Sequence, residues 1–358
     1  MIKVVVVDDS SFMRRAIGGM IEEAEGLELV GTGRNGAEAI ELAKTLKPDV
    51  MTLDIEMPEM DGLTALRVIM RECPTKVLMC SSLTTEGSVA SLRALRIGAA
   101  SVIAKDHSTF STKMGEMKDD LLELIREIGR SKGRFIAKPA GGAGAKSSEP
   151  VTGTPVLPRT IAPLSDVGVV AIGSSTGGPP VLESLLEGLP ADYPFPIVIA
   201  QHMPEVFTAS MVKRLDATCK IEVVHGDAGE ELRPGRVVIA HGGHHYRVAG
   251  RPRAARLERV ENEREVYKPS VNILLESCGK VYGSSALGIV LTGIGRDGAE
   301  GAKVIKSAGG TVLAQNEATS VVYGMPRAVV EDGTAVAAMA PEEILAVLLA
   351  SAEKRAAA

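Results

Sequence analysis

Aromatic residues make up 3% of the 358-residue chain, and tryptophan is absent. So few rings give single-stranded nucleic acid little to stack on. Positive charge is not in excess either. The 40 Lys and Arg stand against 45 Asp and Glu, a formal net charge of -5, with no global attraction for nucleic acid or an anionic membrane. Cysteine is sparse: Cys73, Cys80, Cys219 and Cys278 include no Cys-x-x-Cys pair, which argues against a disulfide framework or a cysteine zinc site and fits a reducing compartment. Long hydrophobic runs are missing as well. The opening MIKVVVVDDS is cut by two aspartates before it reaches the length of a signal-peptide core, and no later run is long enough to span a membrane. The expectation is a cytoplasmic protein that binds no nucleic acid and inserts into no membrane.

What is present fills two cores. The chain is about twice the usual domain length, and its 45% hydrophobic content is ordinary for globular domains. Its first half alternates solid apolar runs (KVVVVDD, LELVGTG, PDVMTLDI, TKVLMCSS, ASVIAKD) with amphipathic stretches. Strands apolar on both faces belong to a parallel sheet covered by helices. From about Ser131 to Ser165 the composition turns to Gly, Ala, Pro, Ser and Thr without periodicity, as in a linker, although VLPRTIAPL is apolar enough to pack on a neighbour. The alternation then resumes, broken once by HYRVAGRPRAARLERV, which reads as an antiparallel excursion. The predicted class is α/β: two doubly wound parallel-sheet domains, over residues 1–128 and 166–352, joined by a linker over 129–165.

Ligands of such sheets bind beyond the C-terminal strand ends. In the first half those ends carry Asp8 and Asp9, Asp54, Ser81 and Lys105. Converging carboxylates repel, and a hard divalent cation such as Mg²⁺ relieves them. A carboxylate beside Mg²⁺ can accept a phosphoryl group, with Ser81 and Lys105 placed to contact its oxygens. The stretches VVVDDSSFMRR, PDVMTLDIEMPEMDGLTAL, VLMCSSLT and ALRIGAASVIAKD resemble a response-regulator receiver domain, which is flavodoxin-like in fold. The resemblance implies phosphorylation at Asp54, with Mg²⁺ held by Asp8, Asp9, Asp54 and the backbone carbonyl of Glu56. Two departures from that family are Val102, where an aromatic is usual, and Asp106, where proline commonly follows the lysine.

In the second half, AIGSSTGGPP (residues 171–180) is a glycine-rich loop between an apolar run and a helix start. It could cradle a phosphate or present a serine. It lacks Gly-x-Gly-x-x-Gly, lacks Gly-Lys-Ser/Thr, and has no lysine nearby, so the phosphate reading fails. The next apolar run ends on His202, and a later one ends in a loop carrying Asp297. Serine, histidine and aspartate on three strand ends of one sheet can form a nucleophile, its base and the carboxylate that orients the base. The residues alone leave Ser174 and Ser175 as equal candidates. His225, His241, His244 and His245 carry no matching ligand spacing for a metal and read as solvated residues of the excursion.

The segments VVAIGSSTGGPPVL, IVIAQHMPEVFTASMVKRL, LTGIGRDGAEGAKVIKSAGG and SVVYGMPRAV are similar to the catalytic domain of chemotaxis protein-glutamate methylesterases, the CheB family, over about Val167 to Leu349. This resemblance implies a Rossmann-like esterase domain with Ser175 as nucleophile, His202 as general base and Asp297 as its orienting carboxylate. Thr176 and the backbone near Ile294 become candidates for holding the oxyanion. It further implies phosphorylation-activated hydrolysis of glutamate γ-methyl esters on chemoreceptors, deamidation of receptor glutamines, and a cognate histidine kinase as phosphodonor. Ester hydrolysis itself needs no cofactor. One departure from the family is Asn272, where an aspartate is usual.

Overall fold

The computed structural model describes residues 1–105, 114–131, 164, 166–262 and 264–356. Asp106 and nearly all of the expected linker lie outside them.

The first sheet is built from runs of β-branched residues. Strands β1 (Ile2–Val7), β2 (Leu27–Gly33), β3 (Val50–Asp54), β4 (Lys76–Ser82) and β5 (Ser101–Lys105) are all parallel, in the order β2-β1-β3-β4-β5. Val4, Val5, Val6, Met51 and Leu53 have no exposed surface, because helices cover both faces. Those helices are α1 (Ser11–Glu22), α2 (Gly36–Leu46), α3 (Gly62–Glu72), α4 (Thr85–Ile97) and α5 (Met114–Arg130). The first four start at side-chain caps. Ser10, Asn35, Asp61 and Thr84 each accept a backbone N–H from the first turn, satisfying a donor the helix cannot. Helix α5 ends at Arg130, two residues beyond the domain end expected at 128.

The second domain holds seven parallel strands in the order β14-β13-β12-β6-β7-β9-β8. In chain order they are β6 (Val169–Ser174), β7 (Ile197–Gln201), β8 (Glu222–Gly226), β9 (Arg236–Ala240), β12 (Ala286–Val290), β13 (Thr311–Gln315) and β14 (Ala337–Met339). The antiparallel excursion is the separate pair β10 (His245–Ala249) and β11 (Arg256–Val260). Helices α6 (Gly178–Glu187), α7 (Glu205–Thr218), α8 (Val271–Tyr282), α9 (Ala299–Ser307), α10 (Met325–Glu331) and α11 (Pro341–Ala356) cover the sheet. The chain leaves β6 toward β7 on one side and returns at β12 on the other. That reversal opens a crevice at the ends of β6 and β12. From the end of the expected linker, Leu164 packs on the second core, and its N–H donates to Ser351 Oγ at 3.1 Å.

The two domains pack through α4. Leu92 joins the core cluster of the second domain, and Ile294 and Val322 of the second domain join that of the first. Across the contact the Ser88 and Ser210 hydroxyls share a hydrogen bond of 2.5 Å, and Arg96 lies 3.5 Å from Glu183, which Arg214 also holds at 2.6 Å.

Gly62 allows α3 to begin directly against the strand that ends in Asp54. A Cβ there would stand 1.9 Å from the Asp54 carbonyl oxygen, which the backbone must move to accommodate. Gly62→Ala is expected to destabilise the first domain by about 1–3 kcal/mol, the usual cost of overpacking. Urea denaturation checks this, and an unchanged transition midpoint would refute it.

Candidate active site

The first rim gathers its expected residues. Carboxylate oxygens of Asp8, Asp9 and Asp54 lie within 4.8 Å of one another. Lys105 Nζ bridges two of them, 2.6 Å from Asp8 Oδ2 and 2.8 Å from Asp54 Oδ2. Burial pushes the Asp54 carboxyl above its ordinary value, more than the ammonium of Lys105 lowers it. A set of hard oxygen donors carrying more negative than positive charge fits a divalent cation such as Mg²⁺. Ser81, though buried, donates its hydroxyl to Gly87 O at 3.0 Å, at the start of α4. The Glu56 backbone N–H bonds the Asp54 carboxylate, while its exposed side chain reaches Ser82. Val102 lies on β5, against the second domain's crevice.

At the second rim, the two serines are no longer equivalent. Ser174 is fully buried and its hydroxyl donates to Gln201 Oε1 at 2.5 Å. Ser175 instead lines a cavity of about 640 Å³ at the crevice. Gln201, the last residue of β7, also donates from Nε2 to Ser175 O at 2.9 Å, which fixes the loop from the side of His202. On the other side Gly293 lets the two loops touch, since a Cβ there would lie 2.8 Å from Ser175 Cβ. The Ser175 N–H is spent on Thr292 O (3.0 Å), and Thr292 Oγ1 donates to Thr176 O (2.8 Å). Thr176 and Ile294 line the same cavity. Among the described residues no partner binds their N–H groups.

His202 and Asp297 are in contact. His202 Nε2 lies 2.8 Å from Asp297 Oδ2, and both side chains are buried. Asp297 is further held by the N–H groups of Val271 and Asn272, each at 2.8 Å, and by Ser270 Oγ at 3.2 Å. Burial would raise its pKa. The hydrogen bond and charge of His202, with the two N–H groups, outweigh burial and bring it below its ordinary 3.8. With Nε2 committed to the carboxylate, His202 Nδ1 is left buried and without a partner. Among the described residues no hydrogen bond joins Ser175 to His202, although both line the cavity. Such contacts often tighten only with substrate in place.

Several contributors carried no signal in the sequence. Tyr267 stacks on the His202 ring, with centroids 5.1 Å apart and planes at 17°. Ser270, Val271 and Asn272 precede Asp297 by some 25 residues, and only the packing of α8 on α9 brings them to it. Asn272 Oδ1 also accepts N–H groups of Gly298, Glu300 and Gly301, so the expected departure proves to be a helix cap. The reading of the other histidines as solvated needs correction. His245 is 1% exposed and accepts Ser270 N–H at 3.2 Å. His225, on β8 of the main sheet, stacks flat on His241 with centroids at 3.4 Å, and burial pushes it down to about 4.

The cavity is shared between domains. Ser101, Val102, Ile103 and Leu124 of the first domain line it opposite Ser175, His202 and Tyr267 of the second. Among the described residues no helix is long and apolar enough to cross a membrane.

Comparison with known proteins agrees with this division. Residues 170–348 match the family model for the CheB methylesterase, and residues 4–111 match the response regulator receiver domain. A relative named protein-glutamate methylesterase/protein-glutamine glutaminase 1 from Oleidesulfovibrio alaskensis is 47% identical, over 94% of this chain and 95% of its own. One of the same name from Vibrio vulnificus is 42% identical, over 93% of this chain and 94% of its own. Among solved structures, the CheB methylesterase catalytic domain of Thermotoga maritima is 38% identical (TM-score 0.49), covering 51% of this chain and 96% of that one. The response regulator domain of Thermotoga maritima CheB is 46% identical (TM-score 0.33), covering 35% of this chain and 94% of that one. The chain belongs to the protein-glutamate methylesterase/protein-glutamine glutaminase family, carboxylic ester hydrolases in which a receiver domain here precedes the CheB methylesterase domain.

Proposed function

We propose that the protein hydrolyses glutamate γ-methyl esters on chemoreceptors in the cytoplasm, and deamidates receptor glutamines, through Ser175, His202 and Asp297. The observation that carries this reading is the His202–Asp297 pair, set with Ser175 on one cavity at the reversal of the sheet. Since Nε2 faces the carboxylate, Nδ1 is the nitrogen that takes the Ser175 proton as Oγ attacks the ester carbonyl carbon. Charge then develops on the carbonyl oxygen, for which the N–H groups of Thr176 and Ile294 are the available donors, because that of Ser175 is already bonded. The imidazolium returns the proton to the departing methoxide, releasing methanol. Water activated by His202 clears the acyl-enzyme to glutamate and regenerates Ser175. With a glutamine substrate the leaving group is ammonia.

Control is assigned to the receiver. Asp54 is the phosphoacceptor for a cognate histidine kinase, and Lys105 and Ser81 would meet the transferred phosphoryl group. Asp8, Asp9, Asp54 and the Glu56 carbonyl would hold Mg²⁺, which when bound neutralises charge during phosphoryl transfer. The unphosphorylated receiver packs over the crevice and excludes a bulky receptor helix bundle. This is supported by the first-domain residues that line the cavity opposite Ser175.

Ser175→Ala is expected to abolish methanol release from methylated receptor membranes, and His202→Ala to lower it by about 10²–10⁴-fold. Near-normal turnover by Ser175→Ala would remove the assignment. Asp54→Asn should eliminate stimulation by a small phosphodonor, and persistence of a Mg²⁺-dependent acyl phosphate would contradict the choice of Asp54. Reversing a charge at the domain contact with Arg96→Glu, opposite Glu183, should raise turnover without phosphodonor roughly 2–5-fold, as expected for a partly exposed pair turned repulsive. Unchanged basal turnover would mean that this contact does not restrain the enzyme.

A further inference from the structure

Asn272 is not among the residues that line the cavity, yet it meets the loop that carries Asp297 twice. Its backbone N–H donates to Asp297 Oδ1 at 2.8 Å. Its side-chain oxygen accepts the N–H groups of Gly298 (2.9 Å), Glu300 (3.0 Å) and Gly301 (3.1 Å), the orphan donors at the start of α9. One residue therefore fastens Asp297 and the helix that begins just after it to the first turn of α8. A carboxylate would cap these donors equally well and gain from the helix dipole. The amide instead leaves Asp297 as the one anion in the cradle formed by Ser270, Val271 and Asn272.

We propose that Asn272 is a positioning residue for the Asp297–His202 pair, and that its neutrality sets how far into acid His202 still serves as a base. The inference rests on the proposed roles of Ser175, His202 and Asp297. A negative charge at 272 would favour the imidazolium form of His202, so the base form would appear only at higher pH. Other charged or titratable groups face the pair. Tyr267 and Lys268 come from the segment before α8, and His245 lies behind Ser270, its pKa lowered by burial. Glu300 in α9 is paired with Lys303 at 2.7 Å, and Arg296 with Asp332 at 3.2 Å. Glu123 of the receiver lines the shared cavity. All are the same in native protein and variant, so a displacement reports the one new charge.

The test is the pH profile of methanol release from methylated receptor membranes by the full chain, activated with Mg²⁺ and a small phosphodonor. Asn272→Asp keeps the cap and should hold the plateau within about twofold. Its acid limb should move up by about half a pH unit, a ~3-fold loss of rate along the limb. Asn272→Ala removes the acceptor and should lower the plateau roughly 10- to 100-fold through misplacement of Asp297. A profile of Asn272→Asp that superimposes on the native one, or a native plateau in Asn272→Ala, overturns the proposal. Ser175→Ala assayed alongside separates the two failures. Turnover there removes the nucleophile assignment, whereas an unmoved limb with Ser175→Ala inactive removes only the role of Asn272.

Discussion

The carboxylate of Asp297 is the fixed point of the second domain. It is a buried anion, which water would otherwise solvate, and it accepts four hydrogen bonds from His202, Ser270, Val271 and Asn272. Each of these bonds constrains an element. The bond to His202 sets the ring at the end of β7, the two N–H bonds seat the first turn of α8, and Asn272 ties that turn to α9. Leaving such a charge uncompensated costs several kcal/mol, more than most single contacts supply. Packing of α8 against α9 and the orientation of the His202 ring, with Nε2 toward Asp297, therefore follow from one requirement.

The loop of Ser174 and Ser175 obeys a second requirement, that buried polar atoms find partners. Ser174 and Ser175 are adjacent and chemically identical, yet β6 points one to each side. The inward hydroxyl is absorbed by Gln201, and Gln201 then has its amide free for the Ser175 carbonyl. The outward one belongs to a residue that lines the cavity. Thr292 does the same from the β12 side, binding the Thr176 carbonyl with its hydroxyl and the Ser175 N–H with its own carbonyl. The loop is thus held by its carbonyls and one N–H, while among the described residues no partner binds the N–H groups of Thr176 and Ile294.

These networks explain what was legible in the sequence and what was not. Runs such as VVVVDD and VVAIG declare buried parallel strands, and the rule that ligands bind beyond strand ends then picks out Asp8, Asp54, Lys105, His202 and the glycine loop before any contact is known. Asp297 stands seven residues past the end of β12, and only the glycine-rich character of its loop marks it. The cradle of Ser270, Val271 and Asn272 had no local signature, because two of its donors are backbone N–H groups that any residue type supplies. Tyr267 was silent for the same reason: a lone aromatic has no period, and its partner is fixed only by the fold. The histidines erred the other way. Polar residue types suggested solvent, but His245 spends its Nδ1 on Ser270 N–H and lies in the core.

Helix α4 joins the two rims physically. Ser81 follows Cys80, which pairs in register with Asp54, and its hydroxyl is spent on Gly87 O in the first turn of α4. Ser91 binds the same carbonyl at 2.7 Å. A phosphoryl group on Asp54 would compete for the Ser81 hydroxyl as a stronger, charged acceptor. Losing that bond loosens the turn from which Ser88, Leu92 and Arg96 extend to the second domain. Among the described residues the contact includes one hydroxyl pair, one partly exposed ion pair and apolar side chains such as Leu92. Under the proposed regulation, a tightly welded interface would keep the crevice covered whatever the state of Asp54, and a looser one would leave the esterase unregulated. A contact reached from the Gly87 turn, and so sensitive to change at Asp54, is what the proposed reversible cover requires.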